Sequence, residues 1–248
     1  MSLALLTILG LSILPNACKA GSAPAIVGGT GDNELRGTPQ ADSIRGLAGE
    51  DRIEGLEGDD VLHGMPGRDT LYGGEGRDAV DGGSYADRAS GGPGIDLLVG
   101  YDGQDWLYGG GKPDALWGGK DDDHLYAGGG GGFASGGPGE DEVVGGDGRD
   151  RLDGEADDDE VSGGPGEDRL EGGMGEDLLD GQDGDDSLFG EIDRDTIRGG
   201  NGNDFIDGID GISGDRIDCG PGPADIAQID AGDEATSCET LRTVGGRR

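Results

Sequence analysis

A period of nine residues governs this chain from Gly28 to Asp207, where twenty units follow one another without an insertion. Two neighbours show the phrase: Gly136-Gly137-Pro138-Gly139-Glu140-Asp141-Glu142-Val143-Val144, then Gly145-Gly146-Asp147-Gly148-Arg149-Asp150-Arg151-Leu152-Asp153. The first position is Gly in nineteen units, with Ala127 the exception. The sixth is Asp in eighteen, with Asn33 and Gly132 departing, and the eighth is Leu, Ile or Val in eighteen, with Ala89 and Ala134 in the other two. A fixed period of this kind means a repeat architecture, in which a unit buries its apolar residue only by stacking on its neighbours.

The first six positions are turn material, because Gly at positions one, two and four permits positive φ and close backbone approach. The last three read polar-apolar-polar, as in Arg151-Leu152-Asp153, which is a short strand with its middle residue facing inward. Turn, strand, turn, strand makes an eighteen-residue coil with strands on two sides. Stacking such coils gives an all-β parallel solenoid of ten coils, roughly 45–50 Å long at about 4.8 Å per rung. Its core is a thin double row running from Leu35, Ile44, Ile53 and Leu62 to Leu188, Ile197 and Ile206.

That core is too thin to hold the chain. One apolar side chain in nine returns far less than the backbone entropy of ordering the other eight residues. Gly makes up 59 of 248 residues, aromatic residues only 4%, and the net charge is −36, a composition that on averages alone belongs to disordered chains. Collagen is excluded because glycine recurs every nine residues and not every three. The array therefore needs a ligand that binds only the folded form.

Stacking identifies the ligand. Units two apart lie above one another, so Asp141, Asp159, Asp177 and Asp195 form one column, and Asp150, Asp168, Asp186 and Asp204 belong to the other, which has a gap at Gly132. Carboxylates about 5 Å apart repel by roughly 0.8 kcal/mol in water and by more where solvent is reduced. A hard divalent cation between adjacent turns reverses the sign. An all-oxygen shell on a flexible, partly backbone frame suits Ca²⁺ better than Mg²⁺, and the repeat offers no nitrogen or sulfur for zinc or copper. Sites between units two apart allow at most 18 ions across the twenty units, and their +36 matches the chain's −36 in size.

The phrase Gly-Gly-x-Gly-x-Asp-x-(Leu/Ile/Val)-x resembles the RTX (repeats-in-toxin, haemolysin-type) calcium-binding repeat, which forms a parallel β-roll. The resemblance covers 180 of the 248 residues. It implies a chain that is disordered without Ca²⁺ and folds on binding it. The ligands it implies are the sixth-position aspartates, together with turn carbonyls: Asp42, Asp51, Asp60, Asp69, Asp78, Asp87, Asp96, Asp105, Asp114, Asp123, Asp141, Asp150, Asp159, Asp168, Asp177, Asp186, Asp195 and Asp204. Gln40, Tyr85, Lys112, Asp121, Asp157 and Asp193 replace the fourth-position Gly, and units 82–90 and 127–135 are the weakest. The tail around Asp218-Cys219-Gly220 is also similar to that of small secreted haemolysin-type repeat proteins.

The two ends follow other rules. Residues 1–14 are apolar, too short for a membrane span, and are closely followed by Pro15, Asn16 and Lys19. We read residues 1–24 as a secretory signal peptide and the protein as secreted; lipidation at Cys18 is the alternative. No other segment is apolar enough to cross a membrane. With Cys18 removed, Cys219 and Cys238 are an even pair suited to a disulfide worth about 3 kcal/mol in an oxidising compartment, against two free thiols. After Asp207 the register slips, although Gly214-Asp215-Arg216-Ile217-Asp218 still resembles half a unit. Residues 208–248 read as a cap over the last open edge plus a loose tail.

Catalysis is not expected. There is no His-Glu-x-x-His motif and no Gly-x-Ser-x-Gly elbow. His63 and His124 read as surface histidines, and paired acids such as Asp59-Asp60 and Asp122-Asp123 belong to the repeat. Nucleic acid is excluded by the sign of the charge. One feature lies outside the repeat: Tyr72, Trp106, Tyr108 and Tyr126 occupy outward positions on one sheet, with Trp117, Phe133, Phe189 and Phe205 on the other. A flat aromatic face suits a glycan or a cell surface; cross-strand pairing within an exposed sheet is the plainer explanation.

Overall fold

The eighth-position side chains all point into one narrow interior, and this sets the path of the whole chain. In a computed structural model, which describes residues 25–244, the strands alternate between two sheets as the chain coils. One sheet has 13 strands, from Ile26–Val27 to Thr240–Val244, and the other has 12, from Glu34–Arg36 to Glu234–Thr236. Every ladder is parallel, and through the repeats a residue pairs with the one eighteen further on, so that Leu107 lies beside Leu125 and Leu98 beside Leu116. The result is the expected parallel β-solenoid, of about 12 turns. Among the described residues no helix is long and apolar enough to cross a membrane. The proposed signal peptide with Cys18, and the last four residues, lie outside the described residues.

Ile44, Ile53, Leu62, Leu71, Leu107, Leu116 and Leu188 are fully inaccessible, and Ala89 and Ala134 continue the same rows with smaller side chains. Leu35 at the first rung is half-buried against them.

The strands are longer than three residues. Arg52–Glu57 runs through the end of one unit into the first three positions of the next. Its ladder pairs Arg52, Ile53 and Glu54 with Thr70, Leu71 and Tyr72, skips Gly55, and resumes at Leu56 and Glu57. The skip coincides with a corner: the second position has positive φ, 113° at Gly74 and 91° at Leu56. Glycine meets that requirement without strain, whereas a non-glycine residue there costs on the order of 1 kcal/mol or more.

Beyond Asp207 the coil continues. Arg216–Asp218 and Glu234–Thr236 extend one sheet, Ile226–Asp230 and Thr240–Val244 the other. The disulfide between Cys219 and Cys238, with Cα atoms 5.1 Å apart, joins the last coils, and Cys219 is fully buried in the core.

Candidate metal columns

The sixth-position aspartates sit where the chain leaves its turn and enters a strand. All eighteen that the repeat implies are buried, none more than 4% exposed. They form two columns, one along each side of the solenoid. Except at Asp114, the main-chain N–H of each Asp donates to Oδ1 of the Asp one rung on: Asp69 to Asp87 at 2.7 Å, Asp87 to Asp105 at 2.7 Å, Asp141 to Asp159 at 2.8 Å. This bond fixes each carboxylate's direction, and it satisfies only one of its oxygens.

The other oxygen is orphaned. A buried carboxylate oxygen without a hydrogen-bond partner occurs at seventeen of the eighteen, Asp195 excepted, and at Asp225 as well. Leaving such an atom unsatisfied in a folded interior costs of order 1–3 kcal/mol, more for a charged group. It points at a cradle that the first-position glycine keeps open. A Cβ placed on Gly55 would lie under 3.0 Å from both Oδ2 of Asp60 and the carbonyl oxygen of Gly73. At Gly100 the same point is equally close to Oδ2 of Asp105 and lies 2.6 Å from the Gly118 carbonyl oxygen. One carboxylate oxygen and one main-chain carbonyl oxygen converge in this way at Gly55, Gly64, Gly100, Gly118 and Gly154, and a side chain at these positions would fill the space between them.

Unit 127–135 breaks this rule twice and consistently. Where Gly132 replaces the aspartate, Ala127 replaces the glycine, and a Cβ on Gly132 would lie 3.5 Å from that of Ala127. The methyl group takes the place of the missing carboxylate, and the column stops: Gly132 still donates to Asp150 at 2.6 Å, but Asp114 has no carboxylate to donate to.

Electrostatics shows what the columns lack. Burial, with the neighbouring carboxylates adding to it, pushes Asp123 up to about 9 against the opposing hydrogen bond from Asp105. Asp87 and Asp159 are pushed to about 8, and the less enclosed Asp60 and Asp69 to about 6, with burial the largest cause in each. Aligned, buried and mutually repelling carboxylates favour either protons or cations. The donor set fits Ca²⁺: it is oxygen only, part carboxylate and part carbonyl, without imidazole or thiolate. Among the described residues no three His, Cys, Asp or Glu side chains converge as one metal cluster, so an ion here depends on main-chain oxygens as well.

The columns extend past the repeats. Asp195 donates to Asp215 at 3.0 Å and Asp204 to Asp225 at 2.9 Å, across 20 and 21 residues instead of eighteen. Asp225 donates in turn to Oε2 of Glu239 at 3.0 Å. At the other end Asn33 donates to Asp51 through its main-chain N–H at 2.7 Å and its side-chain amide at 2.8 Å. Gly214-Asp215 carried the repeat's imprint in the sequence; Asp225 was hidden by the extra residues before it.

The aromatic residues gather as their positions imply. Tyr108 and Tyr126 are rung neighbours with rings 5.1 Å apart and 7° from parallel. Trp106 lies 4.0 Å from the His124 ring, and His124 and the Tyr126 hydroxyl both contact Glu142, at 2.7 and 2.9 Å. His63 likewise contacts Asp81, at 3.2 Å, so neither histidine is simply solvated. Trp117 packs on Phe133, and Phe189 on Phe205, in the opposite sheet.

A family model described as RTX calcium-binding nonapeptide repeat (4 copies) matches residues 27–62, 54–84, 81–111, 100–133, 135–170, 162–194 and 171–206. A comparison with curated proteins found no match.

Proposed function

The chain belongs to the family of RTX calcium-binding nonapeptide repeats, and on that premise we propose that it is an exported β-roll that folds as it takes up Ca²⁺. The single observation that carries this reading is the run of orphaned carboxylate oxygens along both columns, which at Asp60, Asp69, Asp105, Asp123 and Asp159 share the space beside a first-position glycine with a main-chain carbonyl oxygen. The aspartates from Asp42 to Asp204 would hold the ions, with position-one carbonyls completing part of the shell. Bound calcium supplies divalent charge that offsets the repulsion along each column. The N–H of each aspartate holds the next carboxylate in its inward direction, and the glycines keep the space open. Export is supported by the apolar start of the chain and by the disulfide, which suits an oxidising compartment. No catalytic role is assigned.

Circular dichroism of the whole chain in EGTA and in millimolar CaCl₂ tests the proposal. A coil-like spectrum that turns into strand on adding calcium is the expected result. Strand content that chelation leaves untouched would overturn it.

One observation favours a second reading, an adhesive module in which calcium stiffens a rod that presents aromatic residues. Tyr72 and Tyr108 are each 40% exposed, and a cavity of ≈ 640 Å³ opens beside Trp106, lined also by Arg68, Arg88, Gln104 and His124. Flat rings beside charged and amide groups are what a sugar ring needs. A Trp106→Ala/Tyr108→Ala variant that still folds with calcium but loses binding to a glycan array or to cells supports this reading. Equal binding by both proteins removes it.

A further inference from the structure

On the sheet that carries Trp106, the outward ninth position holds a row of rings with one member missing. Tyr72, Ser90, Tyr108 and Tyr126 are successive rung neighbours there. Tyr108 and Tyr126 show what the ladder does with two adjacent rings: they stack at 5.1 Å, 7° from parallel, inside the range that aromatic pairs prefer. Ser90 interrupts the row. Two rungs separate Tyr72 from Tyr108, about 9.6 Å at about 4.8 Å per rung, so one ring resting over Ser90 stacks on both.

The far sides of the two tyrosines are already covered. Tyr126 lies against Tyr108. On Tyr72 the cover is the guanidinium of Arg52, 4.6 Å from the ring centroid, and Arg52 comes from the rung before. That leaves the sides toward Ser90, and each tyrosine is 40% exposed.

Two polar groups border the gap. Ser90 forms its floor, and Arg88 stands two residues earlier on the same outward face of the strand. Arg88 also lines the cavity beside Trp106, its rung neighbour. Arg52 on this sheet finds a carboxylate, Glu54, at 2.6 Å; among the described residues Arg88 has no such partner. A free guanidinium on a chain of net charge −36 marks a place for an anionic group, and a carboxylate matches its fork with two parallel hydrogen bonds.

We propose that the gap between Tyr72 and Tyr108 is a subsite for one ring of a carboxylated sugar, a uronic acid residue, with the ring over Ser90 and the carboxylate on Arg88. The inference rests on the second reading above and deepens it, by naming where the ring sits and what charge the sugar carries. A wholly apolar ring would leave the Ser90 hydroxyl and the Arg88 guanidinium without partners. A uronate offers its hydroxyls to the first and its carboxylate to the second.

Calorimetric titration of the full chain in millimolar CaCl₂, with trigalacturonate and with neutral galactotriose, tests the assignment. The wild-type protein should bind the acidic trimer about tenfold more tightly, the scale of one charge-assisted hydrogen bond. Ser90→Tyr supplies the missing ring from the protein itself. This variant should fold at an unchanged or lower calcium midpoint, because a cross-strand aromatic neighbour stabilises a sheet, and should bind neither trimer. Arg88→Gln should keep the neutral trimer's affinity and lose the preference for the acidic one. It leaves the tyrosines in place, so it decides the question if Ser90→Tyr fails to fold. Equal or tighter binding of the neutral trimer by the wild type, or undiminished binding of the acidic trimer by either variant, overturns the proposal and leaves the glycan array to judge the second reading. A wild type that binds neither trimer overturns it as well.

Discussion

The main-chain N–H of Asp105 donates to Oδ1 of Asp123 at 2.7 Å, and Asp123 repeats the bond to Asp141 at the same distance. Each of these two acceptors is therefore oriented by the protein through one oxygen and has no hydrogen-bond partner at the other. Asp123→Asn keeps the accepting oxygen and exchanges the orphaned one for an amide. With calcium, we expect at least one ion fewer by native mass spectrometry and a higher calcium midpoint. Without calcium, the amide removes a buried charge, so residual strand signal in EGTA rises. Opposite signs in the two buffers distinguish loss of a ligand from damage to packing.

Proton linkage makes a second prediction. In the ion-free fold burial pushes column carboxylates up, to about 6 at Asp60 and about 9 at Asp123, above the ordinary value near 3.9 of an unfolded chain. Between these limits the folded form binds more protons than the unfolded one, so stability without calcium falls as pH rises from about 4 to 9. Calcium displaces those protons, so its apparent affinity rises over the upper part of the same window. Circular dichroism in metal-stripped buffer at pH 5 and pH 8, with parallel calcium titrations, checks both signs.

Cavity formation in so thin a core has a readable cost. Leu116 is fully buried and lies between Leu98 and Ala134 in its row. Leu116→Ala should cost about 2–5 kcal/mol. Since folding and ion uptake are one process in the proposed mechanism, the loss appears as a higher calcium midpoint with the ion count at saturation unchanged.

Unit 127–135 offers a gain-of-site experiment. Gly132→Asp alone places a carboxylate where the Ala127 methyl lies, and should not add an ion. Ala127→Gly/Gly132→Asp restores the family pairing and should add one by native mass spectrometry, provided the Asp114 carbonyl, 2.7 Å from the new Cβ, gives way by a few tenths of an ångström. An unchanged count for the double variant shows that this carbonyl does not yield.

Most of the coil was readable because positions one, six and eight are each bound by a separate constraint. The glycine must lack a side chain, the aspartate must reach the column, and the apolar residue must face inward. Strand length was not readable, because residues such as Gly55 and Leu56 carry turn chemistry while still belonging to a ladder interrupted only at the corner. The final coils were hidden for a different reason. Asp215 still shows as half a unit in the sequence, but Asp225 keeps its place in space through a connection of 21 residues, and a search for a period of nine passes over it. The pairing of Ala127 with Gly132 reads in the sequence as two separate defects; in the fold a Cβ on Gly132 would lie 3.5 Å from the Ala127 methyl, which links the two.

Since Tyr108 stands beside Tyr126 and not beside a residue nine positions away, the molecule has a quantum of length. Removing eighteen residues would shorten it by one coil and leave each surviving side chain facing the way it did before. Removing nine would send all that follows around to the far side, splitting Trp106 and Tyr108 from any partner downstream of the cut. A lineage of such proteins can therefore grow or shrink freely only in whole revolutions, and its surface markings ride along unchanged when it does.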